Sequence, residues 1–404
     1  MLKATRPALI LLASATLAQL GSSAVLQGVS VLAVFLRPTL HLSLTAMGGL
    51  TAAIAVGTML GLLVWGSLVD RWGPRRLMVF GLPAVVLVAL WLASGVSFLP
   101  LVAGLALLGI ALAAIPSGGS RAIFETFAGA QRGTAMGIRQ AGVPMGAALS
   151  AAVIPLLAPA LGPFPVFAVM AALIALFGMP FLWLSPKSAM IHTVGARLGE
   201  LAPAIPVWAL GTVLAAGQYV PVAFLIVDLH DRLAFSLVTA GLALAVVQVA
   251  GAITRVGLGR LSDQRPHHRS PYVAAAALLA AFSAAGLAAM GAGTPSWLPF
   301  VAAAGLGAGG AGWNALQLTW AGERVPPSRA GQSMSWCGAA VFLGAAIFPP
   351  LAGFVSDHTG SFVLMWVGLA GLLAVAAAAT WWVGSTDGRS LRPSSASPLA
   401  GDPT

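Results

Sequence analysis

Apolar runs of 20 or more residues recur from one end of this sequence to the other, and that recurrence constrains the fold more than any other feature. Residues 163–184, PFPVFAVMAALIALFGMPFLWL, carry no charge at all. A helix of that length rises roughly 30 Å, enough to cross the hydrocarbon of a bilayer. Runs of this kind are expected at 8–36, 44–69, 77–96, 98–123, 133–158, 163–184, 205–228, 235–260, 271–291, 297–321, 330–355 and 361–384. They do not alternate as barrel strands do, which leaves helices as the way to satisfy the backbone inside lipid. Composition agrees: 7% of the residues are charged and 59% hydrophobic, against about a quarter charged in soluble domains. The expected fold is an all-α integral membrane protein with 12 transmembrane helices.

An even number of crossings puts both termini on one side. Of the 20 Lys and Arg residues, only Arg37 and Arg232 fall at the other side or in the half-membrane next to it. The basic side is therefore expected to be the cytoplasm, with the chain multi-pass in the cell (inner) membrane and both termini cytoplasmic. The formal net charge of +10 then reflects topology, and no nucleic acid is implied. The opening MLKATRPALILLASATLAQ imitates a secretory signal but is read as the first span, because the apolar character continues to Leu36. A single cysteine, Cys337, excludes an internal disulfide and a Cys-cluster metal site. The six His residues lie near loops without metal-ligand spacing. No cofactor or metal is expected, and a membrane-embedded enzyme, lacking a clustered catalytic set, is disfavoured. A receptor or scaffold that moves nothing is the other alternative.

The chain repeats itself. Asp70 recurs as Asp263 after 193 residues, Gln27 as Gln218 after 191, and GTAMGIRQAGVPMG (133–146) as GQSMSWCGAAVFLG (331–344) after 198. Self-similarity on this scale predicts two pseudo-symmetric six-helix bundles. The expected divisions are an N-terminal bundle (1–184), a cytoplasmic linker (185–204), a C-terminal bundle (205–384) and a polar, Pro/Ser-rich, disordered tail (385–404).

Residues 66–76, GSLVDRWGPRR, concentrate four charges in an apolar chain. With the repeat, this loop resembles the signature of the major facilitator superfamily through Gly66, Asp70, Arg71, Gly73, Arg75 and Arg76, with Pro74 where the family often has an Arg. Gly259 and Asp263 form the second, weaker copy. In the fifth span, Gly142, Pro144 and Gly146 resemble the family's Gly/Pro motif, which serves helix packing. The fourth span lacks the Arg usual early in proton-driven antiporters. The resemblance implies a secondary transporter of a small-molecule substrate in the lipid bilayer, and a monomer is expected. The charged loop either anchors a helix end at the interface or locks a gate. In the gate reading, Asp70 faces the N-terminal end of span 11 near Arg329, and Arg75 meets Glu125, as the resemblance implies.

Ionisable groups within the membrane are candidate substrate ligands, because each costs about 2.5–3.5 kcal/mol at a helix centre. Arg139 and Arg255 lie roughly 10–12 Å inside the cytoplasmic interface at 1.5 Å per residue. Arg139 shares a helical face with Gly142 and Gly146, and Arg255 with Gln248, Gly251 and Gly259. The two arginines are expected to approach each other across the seam with an anion between them, or to snorkel to the cytoplasm. Gln27 and Gln218 occupy equivalent places on cavity-lining spans. Arg121, with Glu125 one turn on, reads as an internal ion pair; its repeat partner Asn314, and Gln317, are further polar candidates. Tyr219, Trp313 and Trp336 read as packing more than binding. None of the ten carboxylates falls mid-membrane. The expected substrate is a small organic or inorganic anion; the alternative is efflux of an uncharged or amphipathic compound.

Overall fold

The computed structural model describes residues 5–127, 129–186, 198–263, 269–326 and 330–390. Among them the regular structure is helical throughout: α1 (Arg6–Leu40), α2 (Leu44–Ala93), α3 (Phe98–Leu112), α4 (Ala114–Thr126), α5 (Gly129–Leu161), α6 (Val166–Leu184), α7 (Ile205–Asp231), α8 (Leu237–Asp263), α9 (Ser270–Ala289), α10 (Leu298–Gly310), α11 (Asn314–Glu323), α12 (Ala330–Thr359) and α13 (Phe362–Ser390). Among the described residues, eleven segments are long and apolar enough to cross a membrane. The twelfth crossing is α10 followed by α11, each too short to span alone.

Three departures from the sequence expectation have local causes. Spans two and three run as one helical element, α2, bent at Gly73, whose φ of 74° and ψ of 163° leave the helical region; glycine reaches that conformation without Cβ strain. The fourth span breaks at Ala113 between α3 and α4. Pro116, in the first turn of α4, has no N–H to return to Leu112, so the helix restarts there. The tenth span breaks at 311–313, directly after a glycine-rich stretch of low helix propensity. The last helix runs to Ser390, six residues into the segment expected to be disordered from Ser385; no proline interrupts it before Pro393. Most of the expected linker (187–197) and the rest of the tail lie outside the described residues.

Helices α1–α6 form one bundle and α7–α13 the other. Within the first, α5 lies along α1 at Gly142 and Gly146: a Cβ on Gly142 would sit 2.7 Å from the Thr16 carbonyl oxygen, and one on Gly146 would overlap the carbonyl of Leu20. Bare backbone at these positions lets the two helices close to van der Waals contact. The bundles meet along α2 with α12, α5 with α8, and α1 with α7. Below, the "terminal end" is the side where α1 begins and α13 ends, and the "far end" is the opposite side.

Candidate functional site

A narrow cleft lies at the middle of the seam, between α1 and α2 of one bundle and α7 and α12 of the other. It is nearly shut, with a cavity of about 10 Å³, room for about one water. Its wall is mostly apolar, with Leu26, Ile54, Ala55, Val222 and Phe342, and its polar lining is Gln27, Ser30, Thr51 and Tyr219. Ser30 and Thr51 bond to each other at 2.9 Å. Gln27 donates to the Ser23 hydroxyl at 3.2 Å, and its carbonyl accepts from Gln248 at 3.3 Å. That last bond joins the two bundles through α1 and α8.

The arginines do not meet across the seam. Arg139 is 1% exposed, and its guanidinium donates to Gln19 Oε1 at 2.5 Å and to Ser120 Oγ at 3.0 Å, both within its own bundle. The reason is the face it shares with Gly142 and Gly146. Those glycines must lie against α1, so the same face turns Arg139 inward towards α1 and α4. Its Nε is buried with no partner, and no carboxylate pairs with it among the described residues. Arg255 is half-buried and donates through Nε to the Ala311 carbonyl at 2.8 Å. Gly251, on the same face, also lies against Ala311 and Gly307. Each arginine thus docks on its own bundle's divided helix: Arg139 beside Gly119 and Ser120, about two turns into α4, Arg255 on the Ala311 carbonyl between α10 and α11.

The described contacts between bundles that can be named residue by residue lie from mid-membrane to the far end. Arg37 pairs with Asp231 at 2.8 Å. Asp357, near the end of α12, accepts from the backbone N–H groups of Leu44 at 2.9 Å and Thr45 at 2.7 Å, and from the Thr45 hydroxyl at 2.5 Å. It thereby caps the N-terminus of α2, where unpaired amides and the helix dipole favour an anion. A Cβ on Gly48 would overlap the backbone of Pro349, and one on Gly353 the backbone of Leu44. This end of the seam is closed.

Other candidates serve their own bundles. Gln317 donates to the Val207 carbonyl at 2.5 Å and fills the space over Gly211, with its own Oε1 buried and unpartnered. Gln218 is buried and its Oε1 has no partner. Asn314 is half-buried at the start of α11. Arg121 and Glu125 pair at 2.6 Å within α4. Arg75 is half-buried and makes no ion pair among the described residues, so the expected Arg75–Glu125 contact is not formed; Glu125 is held by its helical neighbour instead. Gly66 has open space around it and Arg76 is exposed. The side chains of Asp70, Arg71 and Asp263, the surroundings of Gly259, and Arg329 lie outside the described residues. Pro144 is buried within α5.

One polar centre was not legible in the sequence. Asp228, one of the ten carboxylates expected away from mid-membrane, is fully buried. It pairs bidentately with Arg232 at 2.7 and 2.9 Å and accepts from the Trp366 indole at 2.9 Å. Arg232 also donates to the carbonyls of Leu287 and Met290, closing the C-terminal end of α9. The i, i+4 spacing of Asp228 and Arg232 was the available signal.

The sequence model of the Major Facilitator Superfamily matches residues 11–316 and 207–401. Two uncharacterized MFS-type transporters of Mycobacterium tuberculosis, MT3072 (strain CDC 1551 / Oshkosh) and Rv2994 (strain ATCC 25618 / H37Rv), are each 32% identical over 246 residues, 59% of this chain. The chain spans 55% of the length of these curated relatives. A bacterial homolog of the human lysosomal transporter Spinster superposes with a TM-score of 0.76 at 17% identity, covering 97% of this chain and 100% of that one. A mutant of the nucleoside transporter NupG gives 0.77 at 13% identity, covering 93% and 99%. At these identities the two structures establish the fold.

Proposed function

The chain belongs to the major facilitator superfamily, and from that premise we propose that it is a secondary transporter that carries a small organic or inorganic anion by alternating access. The observation that carries the anion reading is Arg139: fully buried in an apolar bundle, its charge meets, among the described residues, only the neutral groups of Gln19 and Ser120. Arg255 repeats the situation with a single backbone carbonyl. By contrast, Asp228 and Asp231 each have an arginine, Glu125 has Arg121, and Glu323 has Arg269 at 2.7 Å. Two guanidiniums that meet no carboxylate among the described residues favour an anion near them by Coulomb attraction at low dielectric.

In this reading the terminal end faces the cytoplasm, because most Lys and Arg residues lie there. The closed far end makes this a state in which substrate exchanges with the cytoplasm. The bundles divide near residues 185–204, and the proposed working unit is a monomer in a cell membrane. Substrate binding tips the balance between the two closures of the seam.

Flux into proteoliposomes tests the proposal. Anion counterflow by the wild type, lost in both Arg139→Gln and Arg255→Gln, is the expected result. Flux of amphipathic neutral compounds that is unaffected by either substitution would replace it with the efflux reading, which the apolar cleft wall otherwise favours.

A further inference from the structure

One buried acceptor on α7 is left without a donor. Gln218 is 6% exposed, and its Oε1 has no hydrogen-bond partner among the described residues, although a buried amide oxygen ordinarily finds one. The repeat explains why. Gln218 matches Gln27, whose own Oε1 accepts from Gln248 of the other bundle at 3.3 Å. Stepping back from Gln248 by the 193 residues that separate Asp70 from Asp263 reaches Ala55, which has no amide to offer. Gln248 and Gln218 also stand at one level of the same bundle. Gln218 lies 13 residues before the end of α7 at Asp231, and Gln248 lies 11 residues after the start of α8 at Leu237. A short turn joins these two helices, so at about 1.5 Å per residue they stand about 20 and about 17 Å from it, and their levels differ by about 3 Å. Around α7, Gln218 is about 40° from Val222, which lines the cleft with Gln27.

We propose that Gln248 is a two-position switch of the transport cycle and that Gln218 is its second acceptor. With the far end closed, the Gln248 amide donates across the seam to Gln27; with the far end open, it donates to Gln218 within its own bundle. The switch rests on the alternating-access reading and deepens it, by naming a bond that changes partner between the two closures. In the closed form Gln218 Oε1 goes unpaired. In the open form Gln27 Oε1 is released instead, into a cleft then open to water. Each closure leaves one acceptor unserved by Gln248, so this donor fastens neither of them irreversibly.

The test is the distance between spin labels on Thr39→Cys and Ala292→Cys, exposed far-end positions of the two bundles, in liposome-reconstituted protein. The parent carries Cys337→Ser, and Asp357→Asn to weaken the α2 cap so that both closures are populated. Methionine in place of glutamine keeps the length of the side chain and removes the amide; at Gln218 it also removes an unpaired buried oxygen, so the variant should fold. Gln27→Met is expected to raise the ratio of open to closed distances about tenfold, and Gln218→Met to lower it about tenfold. Added to Gln248→Met, Gln218→Met should leave the ratio unchanged, because no donor remains to change partner. If Gln27→Met does not raise the ratio, if Gln218→Met does not lower it, or if Gln218→Met lowers it as much in the Gln248→Met protein, the switch falls while the two distances uphold alternating access. A single distance in every variant overturns both.

Discussion

Two buried charged residues show opposite uses of charge in one molecule. Asp228 is surrounded by donors, with Arg232 on both oxygens and the Trp366 indole on one of them. Removing its charge leaves Arg232 buried against α9 with half its partners gone. Asp228→Asn is therefore expected to destabilise the protein by about 3–5 kcal/mol, read as a lower midpoint of thermal unfolding. Arg139 is the reverse case, a guanidinium with neutral partners and an unbonded Nε. Arg139→Gln removes an uncompensated charge, so it should unfold at an equal or higher temperature while losing anion transport, the usual sign of a group retained for function at some expense in stability. The sequence revealed the depth of Arg139 but not its direction. A helical wheel puts it with Gly142 and Gly146 and cannot say whether that face seeks α1 or the seam; only the close approach to Thr16 and Leu20 decides. Tyr219, read as packing, does pack, its ring tilted against Phe342.

Among the elements, the divided helices position the charges. Continuous hydropathy across 98–123 and 297–321 predicted two crossings correctly and concealed both breaks, because hydropathy does not register a missing N–H at Pro116 or the low propensity of the run before Ala311. The consequence is specific. Arg139 reaches Ser120, the last residue before Arg121 on the restarted α4, and Arg255 reaches a carbonyl that an unbroken helix would have kept for itself. Pro116→Ala restores a donor to the first turn of α4 and relieves the ring's clash with the preceding turn. It should raise the unfolding temperature, move Ser120 relative to Arg139, and slow anion transport; transport at the wild-type rate would show that the break does not position the charge. By contrast, the boundaries of α6 and α7 were readable to within about three residues, since Pro and charged residues bound long apolar runs there.

Across the whole molecule, the described polar contacts that fasten the seam are one ion pair and one helix cap at the far end and one amide pair at its middle. In a background with Cys337 replaced by Ser, cysteines at Arg37 and Asp231 should crosslink under oxidation and stop transport, with recovery on reduction; transport by the crosslinked protein would mean that this end never opens. Asp357→Asn weakens the cap of α2. An anion at a helix N-terminus contributes about 0.3–2 kcal/mol, so the open population should rise by up to roughly thirtyfold, read as faster labelling from the far side of a cysteine placed at Ser30. The twelve crossings and the repeat foretold the seam; which carboxylate fastens it did not follow from them, because Asp357 and Leu44 are 313 residues apart in sequence. Gly48 and Gly353, where α2 and α12 touch backbone to backbone, carry a mechanical consequence. A door hung on bare main chain shuts only as far as its thinnest point permits, so alanine at either position is a doorstop, and larger residues there would hold the far mouth ajar by an amount graded to their size.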